Sequence, residues 1–269
     1  MTAERPRGSA DAALWDRYAA EWIAGEPQRL WRRHSDAVNI GLISDWLPRE
    51  RLRRILKTDL FDEAVCDGVY SALASRADEV VGLDVAAAVI GAAKKTHPGL
   101  KSSAADVRSL PLRTGSFDAI VSLSTLDHFD ADGDIPRALR ELHRVLRPGG
   151  VLILTLDNLA NPVIRLRNAL PYGLTHGAGL VPYPVGRTHR PEELDKLVRD
   201  AGFVITETSA VMHAPRVLAI PVMNLLAMAD KGPLGRALAR AAMVFESLRP
   251  LPTRFLTGHF IAVRATKPA

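Results

Sequence analysis

Hydrophobic and polar positions along this chain fall into two alternating rhythms. Arg54-Ile55-Leu56-Lys57-Thr58-Asp59 and Glu79-Val80-Val81-Gly82-Leu83-Asp84 are short runs with apolar centres that each end in an acid and read as strands. Residues 100–105, 117–123 and 150–156 read as further strands. Between them, residues 68–77, 86–96 and 134–146 carry apolar positions at three- and four-residue spacing, which predicts amphipathic helices. This alternation predicts βαβ units and a mostly parallel sheet. Arg147-Pro148-Gly149-Gly150 reads as a stop: the helix ends, the chain turns, and Val151-Leu152-Ile153-Leu154 starts a fully buried strand.

The flanks follow other patterns. Residues 1–10 read as a disordered tail. From Ala12 to Arg33, Leu14, Trp15, Tyr18, Trp22, Leu30 and Trp31 recur at roughly helical spacing, interrupted near Gly25 and Pro27. Ser35-Asp36 reads as the cap of a helix through Trp46, ended by Pro48. This extension, 1–53, is expected to cover one sheet face or the mouth of a site. Residues 157–190 hold many Pro, Gly and Asn and read as a long loop at the ligand end of the sheet. Pro191-Glu192-Glu193-Leu194 opens a helix, 203–211 alternates as a strand, and 257–265 reads as the last strand. The segment 213–256 is an apolar helical insertion between those two strands. The expected fold is α/β: a Rossmann-like, mostly parallel seven-stranded sheet over 54–269, with helices on both faces.

Composition narrows the function. A length of 269 residues suits one α/β domain with insertions. A single cysteine, Cys66, excludes an internal disulfide framework and fits a reducing, cytoplasmic compartment. No apolar run follows the N-terminal Met-Thr-Ala-Glu-Arg-Pro-Arg, so no signal peptide is expected. The longest apolar run, Val217 to Ala229, is interrupted by Pro221 and Asn224 and is too short to span a bilayer. The net charge of +5 is spread over several helices without interleaved aromatics, which argues against nucleic acid as a partner.

Acids at the carboxyl ends of consecutive parallel strands point into one crevice, where such sheets bind ligands. Asp59, Asp84 and Asp106 hold those positions. Taken alone, each has an ordinary structural reading: a turn residue at Asp59, a cap for the helix near Ala86 at Asp84, a loop acid at Asp106. The order of elements, together with Asp84, Ala105-Asp106, Phe117-Asp118-Ala119-Ile120-Val121-Ser122 and the block from Ala138 to Gly150, resembles the class I S-adenosylmethionine-dependent methyltransferases. The resemblance covers about residues 54–211 and the final strand, and is nearest the branch that methylates small molecules, quinones and lipids. It implies S-adenosyl-L-methionine as cofactor. Asp84, followed by Val85, would accept the ribose hydroxyls, and Asp106 would accept from the adenine amino group with Val107 or Leu83 against the ring. Asp59 would face the methionine moiety, and Ser122 would close the crevice at the fourth strand's end.

The chain departs from that family in the loop after the first strand. A run of glycines there lets backbone approach the cofactor with no Cβ in the way. This chain has Leu60-Phe61-Asp62-Glu63-Ala64-Val65-Cys66-Asp67-Gly68, in which only Gly68 remains. The loop is either a variant cofactor loop, with Phe61 and Gly68 taking part and its acids facing the cofactor's positive charges, or a site that has changed ligand. Its clustered carboxylates suit magnesium or calcium, but the spacing matches no calcium loop and an exposed acidic turn is the plainer reading. No metal is expected among the histidines, whose spacing fits no ligand set.

Catalytic candidates follow from strand ends. Asp127 and His128 lie just past the fourth strand, beside the transferred methyl group in the family, and histidine can take a proton near neutral pH. Asp157 ends the fifth strand, with Asn158 after it. Tyr172, His176, Tyr183, Arg187, Thr188 and His189 in the long loop, and Met212 to Arg216, are candidates for a substrate pocket. The insertion at 213–256 is apolar and basic. That composition suits a lid, a homodimer face or a peripheral membrane contact. The expected function is methyl transfer to an apolar small molecule such as a lipid, quinone, terpenoid or polyketide-like product. Two rivals stand beside it: a non-catalytic binding or assembly partner on the same fold, and an S-adenosylmethionine-using enzyme of other chemistry.

Overall fold

The computed structural model describes residues 9–25, 28–177, 185–227 and 233–269. Helices α1 (Ser9–Gly25) and α2 (Arg29–Trp46) precede the first strand. The strands are β1 (Leu52–Lys57), β2 (Ala77–Asp84), β3 (Lys101–Ala104), β4 (Phe117–Leu123), β5 (Leu146–Asp157), β6 (Val204–Val211) and β7 (Phe260–Thr266). Among the described residues they form one seven-stranded sheet in the order β3-β2-β1-β4-β5-β7-β6. The first five strands pair in parallel, and β7 runs antiparallel to both β5 and β6. The strand order reverses between β1 and β4, which is where an open α/β sheet leaves a crevice for ligand.

Successive strand residues feed opposite cores, which is why the strands read as continuous apolar runs. Ile55, Ala119, Val121 and Ile153 face a cluster with Leu30, Val38, Leu42, Ile43 and Trp46 of α2. Leu56, Ile120, Leu152 and Leu154 face the other cluster, with Ile135, Leu139 and Leu142 of a helix after β4 and Leu194 and Val198 of a helix before β6. The connecting helices are α3 (Phe61–Val65), α4 (Tyr70–Ala74), α5 (Ala87–Thr96), α6 (Asp134–Val145), α7 (Pro162–Ala169), α8 (Tyr172–Gly177) and α9 (Pro191–Asp200). The insertion forms α10 (Arg216–Ala227), α11 (Pro233–Ala242) and α12 (Arg254–Thr257). Met223 and Ala242 of the insertion join the same cluster as α2, so it packs beside the N-terminal helices.

Four expectations change. Ser35-Asp36 lies inside α2, which starts at Arg29 after Gln28 at φ 59°. Asp36 is buried and accepts the Gly68 backbone N–H at 3.2 Å, so its side chain serves the neighbouring loop rather than a helix end. Residues 157–190 are not one loop: Asn161 accepts the Val163 N–H at 2.9 Å and caps α7, with Pro162 at its first position, and α8 follows. The expected helix at 68–77 is only the short α4, because β2 already starts at Ala77. The turn at 147–150 survives as a register break in β5, between the pairs Phe117/Leu146 and Ala119/Val151, with Gly149 at φ 72°.

Candidate active site

One cleft opens across the carboxyl ends of β1, β2, β4 and β5. Thr58 and Asp59 follow β1, Asp84 ends β2 with Val85 after it, and Ala105, Asp106 and Val107 follow β3. Leu123, Ser124, Thr125, His128 and Phe129 come from the end of β4, and Thr155 from β5. The Thr58 hydroxyl lies 2.9 Å from those of Ser122 and Thr125, which bridges β1 and β4 where the strand order reverses. Helices α1 and α2 close the mouth with Trp15, Trp31, Arg32, Ser35 and Asn39. Met212, Arg216, His259 and Phe260 form the wall on the β6–β7 side.

The glycine-poor loop is built rather than collapsed. Leu60 is fully buried and packs over β2, where a Cβ on Gly82 would come within 2.5 Å of Leu60 Cδ2. The glycine that the loop lacks is thus matched by one in the neighbouring strand. Phe61 turns into α3 and lines the cleft, with the Arg32 guanidinium 5.0 Å over its ring. Arg32 also pairs with Asp62 at 2.5 Å, tying α2 to the loop. Glu63 faces inward, fully buried, 2.8 Å from Nζ of Lys57, a residue only 2% exposed. Burial would lower the Lys57 ammonium, but Asp59 and Glu63 outweigh it and hold it above its ordinary value. Gly68 sits at φ 59° with the Glu63 carboxyl where its Cβ would be, and it does not line the cleft. The loop acids are taken up by cations: Asp62 turns to Arg32, and Glu63 turns to Lys57, which also stands 3.5 Å from Asp59.

Each acid has its own environment. Asp84 accepts N–H bonds from Leu60 (3.0 Å) and Ala86 (2.9 Å), so it fixes both the new loop and the start of α5 while its carboxylate borders the cleft. Burial pushes its carboxyl up to about 6. Asp59 accepts from the Thr125 hydroxyl at 3.0 Å. Asp106 is gripped by the Arg108 guanidinium at 2.7–3.0 Å and by the Arg108 backbone N–H at 2.8 Å. Burial would raise that carboxyl, and the Arg108 bonds hold it below its ordinary value instead. An adenine amino group at Asp106 would share its oxygens with Arg108. Val85 and Val107 both line the cleft. Ser122 does not: it is fully buried beneath it, bonded to Thr58.

The three catalytic candidates separate. His128 lines the cleft with its ring edge-on to Trp15 at 4.7 Å, and its Nε2 lies 3.9 Å from Asp127 Oδ1. Asp127 is buried behind it, accepting from the Ser124 hydroxyl (2.8 Å) and the Asp157 N–H (3.2 Å), and burial pushes its carboxyl up to about 6. Asp157 does not border the cleft. It pairs with Arg167 at 2.5 Å and lies 3.4 Å from His259 Nε2. Burial opposes its ionisation, but Arg167 and His259 hold it below the ordinary carboxylate range.

Most loop candidates for the substrate pocket lie elsewhere. Arg187 pairs with Asp132, Thr188 accepts from Asn168 (2.6 Å), and His189 bridges to Asn158. Tyr172 is exposed on α8, and Tyr183 and the His176 side chain lie outside the described residues. His213 is buried against Thr257 (2.8 Å) and the Ala210 carbonyl (3.1 Å). Only Met212 and Arg216 of that group reach the cleft.

Two residues went unread in the sequence. His259 reaches the cleft because β7 is antiparallel, which puts its first residues beside the carboxyl end of β5. Lys57 had a signal: a cation that follows Ile55 and Leu56 into the buried end of a strand needs a partner, and Glu63 stands six residues on. Backbone strain marks the same place. Among the described residues, the non-glycine positions with positive φ are Gln28 (59°), Ser124 (49°) and Met212 (63°), and all three line the cleft. Such conformations persist where surrounding structure over-determines them, and they gather at functional sites.

Comparison with known proteins agrees with this geometry. A family described as a methyltransferase domain matches residues 61–154. A probable S-adenosylmethionine-dependent methyltransferase of Mycolicibacterium smegmatis is 28% identical over 153 residues, 56% of this chain and 54% of that protein. A malonyl-(acyl-carrier protein) O-methyltransferase of Enterobacter lignolyticus is 30% identical over 148 residues, 54% of this chain and 53% of its own length. The chain thus spans about half the length of the curated relatives it matches. Among solved structures, an S-adenosylmethionine-dependent methyltransferase of Thermotoga maritima, a possible histamine N-methyltransferase, gives a TM-score of 0.57 at 20% identity. That superposition covers 95% of this chain and 99% of the other, and at such identity it speaks for the fold alone.

Proposed function

We propose that the chain is a class I S-adenosylmethionine-dependent methyltransferase whose cleft transfers a methyl group to an apolar small molecule. The observation that carries this reading is the division of the cleft. Asp59, Asp84 and Asp106 stand at one side, at three consecutive strand ends, and Trp15, Trp31, Phe129, Met212 and Phe260 form much of the rest. The donor set fits the cofactor. Asp84 uses one N–H per oxygen, and a carboxylate oxygen accepts about two, so acceptor capacity remains for ribose hydroxyls. Asp59 adds negative charge where a positive methionine moiety would lie.

When bound, the cofactor supplies an electrophilic methyl group on a sulfonium, open to in-line displacement. The chain's residues then have three tasks. The aromatic wall desolvates and orients a greasy acceptor, and positioning alone lowers such a barrier substantially. His128 takes the proton that a hydroxyl or carbon nucleophile releases, and the Asp127 carboxylate behind it stabilises the resulting cation. Helices α1 and α2 keep water from the mouth with Trp15 and Trp31. Arg216, at the start of α10, forms part of the cleft wall, and α10 serves as a lid in this reading.

The test is methyl transfer from radiolabelled S-adenosylmethionine to a panel of quinone, fatty-acyl, terpenoid and polyketide-like acceptors, with polar amines and sugars alongside, run beside His128→Gln. Label in an apolar product, lost or slowed in the variant, is the expected result. Label that enters only polar acceptors would refute the substrate class, and full activity in His128→Gln would remove that residue's role.

A further inference from the structure

Lys57 neither lines the cleft nor belongs to any cofactor contact described above, yet its ammonium ties the rewritten loop together at both ends. Its Nζ donates to the Asp59 carbonyl at 2.6 Å and stands 3.5 Å from Asp59 Oδ1, at the loop's beginning. It also lies 2.8 Å from Glu63 Oε2, and Glu63 Oε1 accepts the Val69 N–H at 2.9 Å, at the loop's end. Gly68 is the residue that lets this happen, because a Cβ there would fall 2.6 Å from the Glu63 carboxyl carbon. Lys57 and Glu63 are 2% and 0% exposed.

A fully buried ion pair is a poor source of stability, because removing two charges from water costs several kcal/mol each and well-packed apolar residues often do as well. Its presence under a ligand cleft therefore calls for another reason, and the geometry gives one. We propose that Lys57 is a positioning residue for cofactor binding: its pair with Glu63 replaces the glycine run as the device that sets the loop's path and holds Asp59 at the cleft floor. The ammonium grips the Asp59 carbonyl directly and steadies its carboxylate from behind, leaving the Thr125 hydroxyl to hold the other oxygen. Asp59 is then presented in one orientation toward the cofactor's positive centres. This rests on the proposed reading of the cleft as an S-adenosylmethionine site.

The experiment uses the full chain and S-adenosylmethionine as the probe. Affinity by calorimetry and unfolding midpoint in urea are measured for wild type, Lys57→Met/Glu63→Leu, Asp59→Asn and the triple variant. The double variant exchanges the pair for apolar side chains of similar size. It is expected to stay folded with a lowered unfolding midpoint, because the Val69 N–H loses its acceptor, and to lose affinity by about tenfold, the worth of one charge-assisted contact. Asp59→Asn should lose a similar factor, and the triple variant should lose no more than either, because Lys57 acts through Asp59. Wild-type affinity in the double variant, or losses that multiply in the triple, would overturn the proposal. If the double variant does not fold, Asp59→Asn alone decides: unchanged affinity there overturns it. A wild type that binds no S-adenosylmethionine defeats the functional reading itself and this inference with it, a result distinct from binding that the variants leave intact.

Discussion

Replacing Asp84 by alanine separates two roles that one side chain combines. In the folded chain the carboxylate accepts two backbone N–H bonds, from Leu60 at 3.0 Å and Ala86 at 2.9 Å. Leaving a buried donor unpaired costs about 1–3 kcal/mol, so the two together cost about 4 kcal/mol. The variant also relieves a penalty. Burial pushes the Asp84 carboxyl from 3.8 to about 6, so keeping it ionised at neutral pH costs about 3 kcal/mol at roughly 1.4 kcal/mol per unit. The net loss of stability without cofactor is therefore small, about 1 kcal/mol. Its pH dependence has a definite sign. A carboxyl raised on folding contributes stability that is present below the unfolded value and lost as pH rises through the folded one. The wild type's margin over Asp84→Ala should thus shrink between about pH 4 and 6 and level off above. Cofactor affinity should fall by about 1–3 kcal/mol, since the ribose hydroxyls lose their acceptor. Urea titrations across that pH range, with calorimetric titration of S-adenosylmethionine at pH 7.5, read both quantities. Unchanged affinity alongside a measurable stability loss would show that Asp84 is a cap for the loop and α5 alone, and would refute the ribose assignment.

Three further outcomes follow from the same geometry. Gly82→Ala should destabilise the chain by about 1–3 kcal/mol through overpacking against Leu60, and Leu60→Ala in the same chain should recover part of that loss, read as a double-mutant cycle in urea; strictly additive losses would show that the two do not touch. Asp36, buried beside Asp62 and Glu63, has its carboxyl pushed up to about 8, chiefly by burial, so its contribution to stability fades as pH rises from about 4 through 8. Asp36→Asn keeps an acceptor for the Gly68 N–H, and its melting temperature relative to wild type should climb over that range; a flat difference would contradict this. Arg167→Met strands the buried Asp157 carboxylate and should cost about 3 kcal/mol or more at neutral pH, with the penalty fading in acid as the group protonates, so a surface-like loss below 1 kcal/mol would be inconsistent with that pair.

The sheet was legible because its central strands β4 and β5 are largely buried on both faces and helices such as α6 carry one apolar stripe. Ile135, Ala138, Leu139, Leu142 and Val145 show the spacing plainly, and all are buried in α6. Asp84 was legible for a related reason, since a polar residue that ends an apolar run sits at the sheet's rim. What stayed hidden depends on contacts between distant segments. Asp36 reads locally as a cap, and only its bond to Gly68, thirty-two residues on, shows that it faces the loop. Asp157 reads as a crevice residue until Arg167, one helix later, claims it. His259 enters through the reversed direction of β7, which apolar alternation cannot reveal. The loop itself looked like a loss of glycines, because the compensating Gly82 lies in another strand and reads there as an ordinary weak spot.

This cleft is expected to bind S-adenosylmethionine without the usual glycine run. Calorimetric titration of the purified wild-type chain with S-adenosylmethionine and S-adenosylhomocysteine tests it most directly. The account predicts saturable binding of both at one site per chain, in the micromolar range, weakened in Asp84→Ala. Absence of heat or saturation at millimolar concentrations of either compound, with the chain shown to be folded, would contradict it.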